Sequence, residues 1–265
     1  MQTTDRHARK QREARMRFYA ELNDFLPEHR RQREFIYSFS GTPSVKDAIE
    51  AIGVPHTEID VILVDGESVD FAHLLQGGER VAVYPVFERC DVSSVTRLRP
   101  APLRETRFIA DVHLGTLARN LRLLGFDTAW ERDLDDDTII DRASRERRII
   151  LTRDKGILKN GNVTHGYWLR SSDSDEQLEE IVRGLDLAGS IEPYVRCMEC
   201  NGELEDIARS EAARSVPQQV FLVYPRFKRC RRCRRVYWRG THFRHLDEVV
   251  ERARSMAAPN RGRGT

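Results

Sequence analysis

The 265-residue sequence has no run of 18 apolar residues, and its polar, basic N-terminus has no apolar core. Neither a membrane-spanning helix nor a secretory signal is therefore expected. Net charge is nearly absent as well: 44 lysines and arginines against 42 aspartates and glutamates leave +2, which says nothing about partners. Cysteine is scarce, with five in the chain, and no internal repeat is present. These absences argue against a secreted disulfide scaffold and a repeat array, and lead to the expectation of a soluble, cytoplasmic protein without a membrane role. The length suffices for two or three small domains.

Four of the five cysteines are paired, Cys197 with Cys200 and Cys230 with Cys233, on a 29-residue spacer. Each Cys-x-x-Cys turn can aim two thiolates at one ion, so the four predict a closed, structural zinc site. Two disulfides would need an oxidising compartment that nothing else suggests. Cys90 stands alone and reads as a small buried or linker thiol. Charge is also unevenly spread. From Arg196 to Thr265 there are 16 basic and 8 acidic residues, with six basics between Lys228 and Arg235. Arg231, Arg232, Arg234 and Arg235 are the candidates for phosphate contacts.

The chemistry-bearing stretch runs from Arg107 to Lys159. Phe108, Ile109 and Ala110 lead into Asp111; Ile149, Ile150 and Leu151 lead into Thr152, Arg153 and Asp154. Such continuous apolar runs suit strands buried on both faces of a parallel sheet. Between them, Leu114, Leu117, Ala118, Leu121 and Leu124 recur at helical spacing before Gly125. Asp127 to Trp130 can be a further strand. Asp135, Asp136 and Asp137 then precede Ile139, Ile140 and Ala143, which places an acidic triplet at a helix N-terminus.

In open α/β sheets the functional crevice lies outside the carboxyl ends of the strands, where Asp111 and Asp154 would emerge and Asp136 could reach. Magnesium or manganese prefers such oxygen ligands, and a pair of ions can activate water and stabilise the leaving oxygen of a phosphodiester. Clustered carboxylates repel one another without a cation. The same pattern also fits strand-end turns and an ordinary helix cap, and periodicity does not separate the two. Arg119 and Arg122 fit a phosphate-steering role or a solvated helix face equally. Strand alternation aims Arg153 away from Asp154, and His113 is set aside because a metal-generated nucleophile needs no side-chain base.

Met1 to Arg15 is charged and lacks a core pattern, which predicts a disordered tail or frayed helix. Strands are expected at Met16 to Tyr19 and Phe35 to Phe39. Ser44 should cap a helix carrying Val45, Ala48, Ile49 and Ile52, ended by Gly53. Val61 to Val64, the hairpin pair Asp65-Gly66 and a strand Arg80 to Tyr84 complete a β-grasp order. Further on come a strand near Gly166 to Leu169 and a helix from about Asp175 to Leu187. A C-terminal helix is expected on Leu246, Val249, Val250, Ala253 and Met256, followed by a polar, basic tail.

The text FIADVHLGTLARNLRLLG, then FDTAW, DDDTIIDRA and RIILTRDKGILK, resembles the PIN-like ribonuclease domain first described at the C-terminus of the Mut-seven exonuclease. The likeness continues through RCMECNGEL and CRRCRRVYWRGTH, covering roughly residues 107 to 245. It implies a metal-dependent ribonuclease acting on RNA, with magnesium or manganese held by Asp111, Asp136 and Asp154 and a separate structural zinc on the cysteines. Asp135 and Asp137 adjoin the middle ligand and leave its position open by one residue either way. Thr152 falls on the Thr-x-Asp pattern of PIN relatives, where it would orient a carboxylate or water. Tyr237, Trp238 and His242 match the family motif and could stack on bases or pack the ribbon.

The β-grasp segment resembles the ubiquitin-like sulfur carriers of thiamine and molybdopterin synthesis, and the bacterial modules fused ahead of this ribonuclease domain. Carriers use a free C-terminal Gly-Gly; here Tyr84, Pro85, Val86, Phe87 and Glu88 run on into another domain, so a docking module for a protein partner is expected. The resulting plan is a tail at 1–15, a ubiquitin-like β-grasp domain at 16–88 and a linker with Pro100 and Pro102 at 89–106. A PIN-like α/β domain follows at 107–190, a zinc ribbon at 191–245, and a C-terminal helix and tail at 246–265. The competing reading is a catalytically idle RNA-binding or adaptor protein on the same fold.

Overall fold

The computed structural model describes residues 11–85, 106–240 and 243–256. Cys90, His242, residues 89–105 of the expected linker, the first ten residues of the expected N-terminal tail, and residues 257–265 lie outside the described residues. The chain divides into two compact units, one of residues up to 103 with 158–164, the other of 104–157 with 165–265.

In the first unit, β1 (Gln11–Phe18), β2 (Phe35–Ser40), α1 (Val45–Ile52), β3 (Ile59–Val64), β4 (Glu67–Val69) and β5 (Arg80–Pro85) form a mixed sheet of order β2-β1-β5-β3-β4. β1 and β5 run parallel, and the other pairs are antiparallel. This is the expected β-grasp. Ser44 Oγ accepts the Asp47 amide at 3.1 Å to start α1, and Gly53, at φ 120°, ends it. Asp65 and Gly66 both take positive φ, as a two-residue hairpin turn requires.

The first strand corrects the reading of Met1 to Arg15 as a tail. β1 begins at Gln11, pairs with β2 from Gln11↔Ser40 onward, and buries Ala14, Met16 and Phe18. Within the strand, Glu13 and Arg15 are the solvated alternate positions of a wet face, while Arg12 shares the phase of Ala14 and Met16.

In the second unit, β6 (Arg107–Ala110), α2 (Gly115–Leu123), β7 (Asp127–Ala129), α3 (Asp136–Glu146), β8 (Ile149–Thr152), α4 (Lys155–Leu158), β9 (Gly166–Trp168) and α5 (Ser174–Gly184) build an α/β layer. Its sheet has the order β7-β6-β8-β9, parallel throughout. The central strands are the two apolar runs: Phe108, Ile109, Ala110, Ile150 and Leu151 are fully buried. Gly125 turns at φ 101° where a Cβ would sit 2.2 Å from the Glu192 carbonyl oxygen, so only glycine fits.

The chain continues through β10 (Leu204–Ile207), α6 (Arg209–Ala212), α7 (Gln218–Val223), β11 (Phe227–Cys230) and β12 (Val236–Trp238) to α8 (Phe243–Ser255). β10, β11 and β12 form an antiparallel ribbon. α8 starts three residues before the Leu246 assigned from periodicity. Its Val249, Val250 and Ala253, with Met256 just beyond its end, enter the same core as Leu117 and Leu121 of α2 and Leu178 and Ile181 of α5.

Candidate functional site

β6 and β8 end side by side, and a single hydroxyl joins their ends. Thr152, fully buried, donates from Oγ1 to Asp111 Oδ2 at 2.8 Å and accepts the Asp154 amide at 2.9 Å. One hydroxyl has one proton and two lone pairs, which is enough for both bonds. The Asp111 amide donates to the Leu151 carbonyl at 3.0 Å, so its backbone is tied to β8 as well. Asp111 is 9% exposed, whereas Asp154 is exposed and accepts the Gly156 amide through Oδ1 at 2.6 Å. Beside Asp111, the Trp130 indole donates to the Val112 carbonyl at 3.1 Å and lies where a Cβ on Gly115 would meet it at 2.7 Å.

The acidic triplet separates by role. Asp135 is the N-cap of α3: its Oδ1 accepts the Thr138 amide at 2.8 Å, and these bonds to Thr138 hold its carboxyl below the ordinary range. Asp136, the first residue of the helix, is raised, by burial first and then by repulsion from Asp111 and Asp154, with Asp137 and Asp135 adding to it. Asp136 therefore feels the two strand-end acids across the crevice. The three are not drawn into one cage. Among the described residues, only the cysteines bring three or more metal-ligating atoms within 4.8 Å of one another.

Those cysteines form two knuckles with the same backbone. The Asn201 amide donates to the Cys197 carbonyl at 2.9 Å, and the Arg234 amide to the Cys230 carbonyl at 3.0 Å. The Cys197 amide donates to Gly202 and the Cys230 amide to Arg235, at 2.7 and 2.9 Å. Asn201 and Arg234 are both left-handed, at φ 66° and 64°. A Cβ on Gly202 would lie 2.9 Å from Cys230 Sγ and 2.8 Å from Arg232 Cβ, so this glycine is what lets the knuckles approach.

Cross-knuckle sulfurs stand 3.6 Å (Cys197 to Cys233) and 3.4 Å (Cys200 to Cys230) apart, and all four are free thiols. A tetrahedron of ~2.3 Å zinc–sulfur bonds has edges of about 3.8 Å, so the set fits structural zinc. Burial pushes the Cys233 thiol up to about 12. At Cys200 burial is outweighed by the Gly202 amide and the neighbouring sulfurs, and the thiol falls to about 7. Tyr237 stands 3.0 Å through its hydroxyl from Cys197 Sγ, and burial together with that sulfur raises its pKa. It packs the ribbon.

Arg122 overturns both of its sequence readings. It is 2% exposed; Nε donates to the Thr128 carbonyl at 2.8 Å, and Nη1 to the Met198 and Glu199 carbonyls at 3.0 and 2.9 Å. It bolts the first knuckle to α2 and β7. Asn201 adds to this through Thr128 and Asp127, at 3.1 and 2.7 Å. Arg148, which sequence reasoning passed over, is also buried and donates to Asp127 at 2.6 Å, to Glu146 and to the Phe108 carbonyl. Its only sequence signal is a basic residue directly before an apolar run.

Arg231, Arg232, Arg234 and Arg235 are exposed. Arg231 pairs with Glu203 and Glu205 at 3.0 and 3.2 Å, Arg234 approaches Glu205 at 3.9 Å, and Arg235 lies 3.4 Å from Glu199. Arg232 donates to the Cys200 carbonyl at 3.3 Å. Arg119 is exposed and meets Glu199 at 2.9 Å. The local basic excess is thus partly neutralised by facing glutamates.

Residues 106–250 match the family model described as Mut7-C RNAse domain, and residues 11–91 the one described as Mut7-C ubiquitin. Neither the comparison with curated proteins nor that with solved structures finds a match. No described helix is long and apolar enough to cross a membrane.

Proposed function

Because the chain belongs to the Mut7-C RNase domain family, with a Mut7-C ubiquitin domain ahead of it, we propose that it hydrolyses RNA phosphodiester bonds with magnesium or manganese held by Asp111, Asp136 and Asp154. The observation that carries this reading is the Thr152 hydroxyl, which holds the Asp111 carboxylate and the Asp154 backbone at one sheet edge. Burial first, and then repulsion from Asp111 and Asp154, raises the Asp136 carboxyl, and a bound cation would relieve the second. Such an ion, when bound, supplies activated water and neutralises phosphate charge. Asp135 is spent on its helix cap.

The arginines of the second knuckle would bind phosphates by exchanging their glutamate partners. Exposed pairs of this kind are worth only about 0–1 kcal/mol each, so phosphates can displace them. The four-cysteine zinc site keeps the ribbon folded, and the β-grasp unit serves to dock a protein partner. A cytoplasmic location completes the proposal.

The test is a time course on labelled single-stranded and structured RNAs with manganese, magnesium or chelator. Asp111→Asn, Asp136→Asn and Asp154→Asn should each lose most cleavage while still binding RNA. Asp135→Asn should cut normally, since asparagine caps as well as aspartate. Changing all four arginines to glutamine should flatten the salt dependence of RNA binding. Native-rate cleavage by all three metal-site variants would hand the molecule to the idle-adaptor reading.

A further inference from the structure

Between the ribbon and α8 lies a cavity of about 410 Å³ that hydrolysis at the aspartates does not use. Tyr194, Phe227, Trp238 and Phe243 line it, with Leu123 and Leu246 completing the apolar wall. The Tyr194 and Phe243 rings are 4.8 Å apart, and the Arg239 guanidinium lies 5.8 and 5.6 Å from their centres.

Four cations, Arg196, Arg226, Lys228 and Arg239, line the same space against one acid, Asp206. Arg196 is held by the Gly125 and Asn201 carbonyls, and Arg239 is shared with Asp247 at 3.4 Å. Lys228 is 4.0 Å from the largely exposed Asp206. Arg226 is exposed.

The occupant must therefore offer an apolar, planar face and negative charge beside it. An aliphatic protein side chain satisfies the wall and leaves the cations idle; a duplex keeps its faces stacked internally. A single-stranded nucleotide satisfies both demands, since aromatic stacking beside basic groups is how such strands are held without sequence readout. The volume is within the range of small-ligand sites.

We propose that this cavity is a subsite for one unpaired nucleobase of RNA, with the flanking phosphates on Arg226, Lys228 and Arg239. The choice of RNA rests on the ribonuclease reading; the cavity's chemistry does not.

The experiment uses full-length Asp111→Asn protein, which should hold RNA without cutting it, and two labelled probes: a uridine octamer and an abasic octamer with the same backbone. The uridine probe should bind about tenfold tighter, the scale of one stacked base. Leu246→Trp, which fills the cavity, should remove most of that preference, and Trp238→Leu, which keeps the wall apolar but removes stacking, should reduce it should the first variant fail to fold. Arg226→Gln should weaken both probes alike and lower the salt slope by about one.

Equal binding of the two probes overturns the subsite, and so does a preference that survives both cavity variants, the result expected if the space receives a protein side chain. Native protein that cuts RNA while the probes bind equally sinks the subsite alone; RNA neither bound nor cut sinks the ribonuclease reading with it.

Discussion

The two cysteine knuckles share one backbone and differ in everything around it. The first, at 197–202, has its carbonyls filled by Arg122 and its Asn201 bound to Asp127 and Thr128 of the sheet. The second, at 230–235, is held by its ribbon strands and by the cysteines, and presents exposed arginines to solvent. An identical metal-binding loop can thus be a foundation in one copy and an exposed basic surface in the other. The division is set by whether buried donors await its carbonyls.

The largest effect should come from the ion. Native protein should carry about one zinc per chain, because structural zinc sites contribute on the order of 10–16 kcal/mol of apparent binding energy to folding. After chelation, hydrogen exchange should accelerate sooner at 227–238 than at 195–204, where Arg122 and Asn201 still hold the backbone. Simultaneous loss in both segments would erase the asymmetry.

Next comes the bolt itself. Arg122→Met leaves the Thr128, Met198 and Glu199 carbonyls without their donor, and should cost about 3–5 kcal/mol by urea unfolding. Arg232→Met, which cuts the exposed bond from the second knuckle to the Cys200 carbonyl of the first, should stay within about 0.5 kcal/mol. Comparable costs at the two sites would contradict the contrast.

Gly202→Ala pushes a methyl against Cys230 Sγ and Arg232 Cβ and should cost about 1–3 kcal/mol. Competition with a chromophoric chelator should show weaker zinc binding as well. Unaltered zinc affinity would mean that the knuckles can separate freely.

The smallest effect is acid sensitivity. Burial alone would raise Asp127, but Arg148, Asn201 and Arg196 outweigh it and hold the carboxyl below its ordinary 3.8. A depressed folded-state pKa contributes stability that is present above 3.8 and lost as pH falls through the folded value. Asp127→Asn should therefore be less stable than native near neutrality and flatter in its acid limb, as measured by thermal unfolding against pH. Parallel acid limbs would remove Asp127 from the support of the first knuckle.

Much of this was legible in residue patterns. Continuous apolar runs marked β6 and β8 because burial on both faces leaves no room for alternation, and paired Cys-x-x-Cys turns marked the metal cluster because each turn is local. Arg122 was not legible: helical spacing gives its side of α2, but not the carbonyls that arrive from residues 76 and 77 positions away. Likewise, a helix start read from sequence is uncertain by a residue or two, so the triplet could not be divided into cap and neighbour until the Asp135–Thr138 bond was seen. The charged opening of β1 misled for a related reason. Its partner in β2 lies far along the chain, Gln11 facing Ser40 and Arg15 facing Ile36, and only pairing makes alternating charges a strand.

The placement of α8 bears on the order of events during synthesis. Val249, Val250, Ala253 and Met256 cover the leucines of α2 and the apolar face of α5, yet they leave the ribosome after every strand of both sheets in this unit. Domains made from their N-terminal end fold as their segments emerge. Here the sheet, the aspartates and the knuckles can be in place while Leu117, Leu121 and Ile181 still face water. Until Phe243–Ser255 arrives, the apolar face shared by α2 and α5 lacks the cover that α8 gives it.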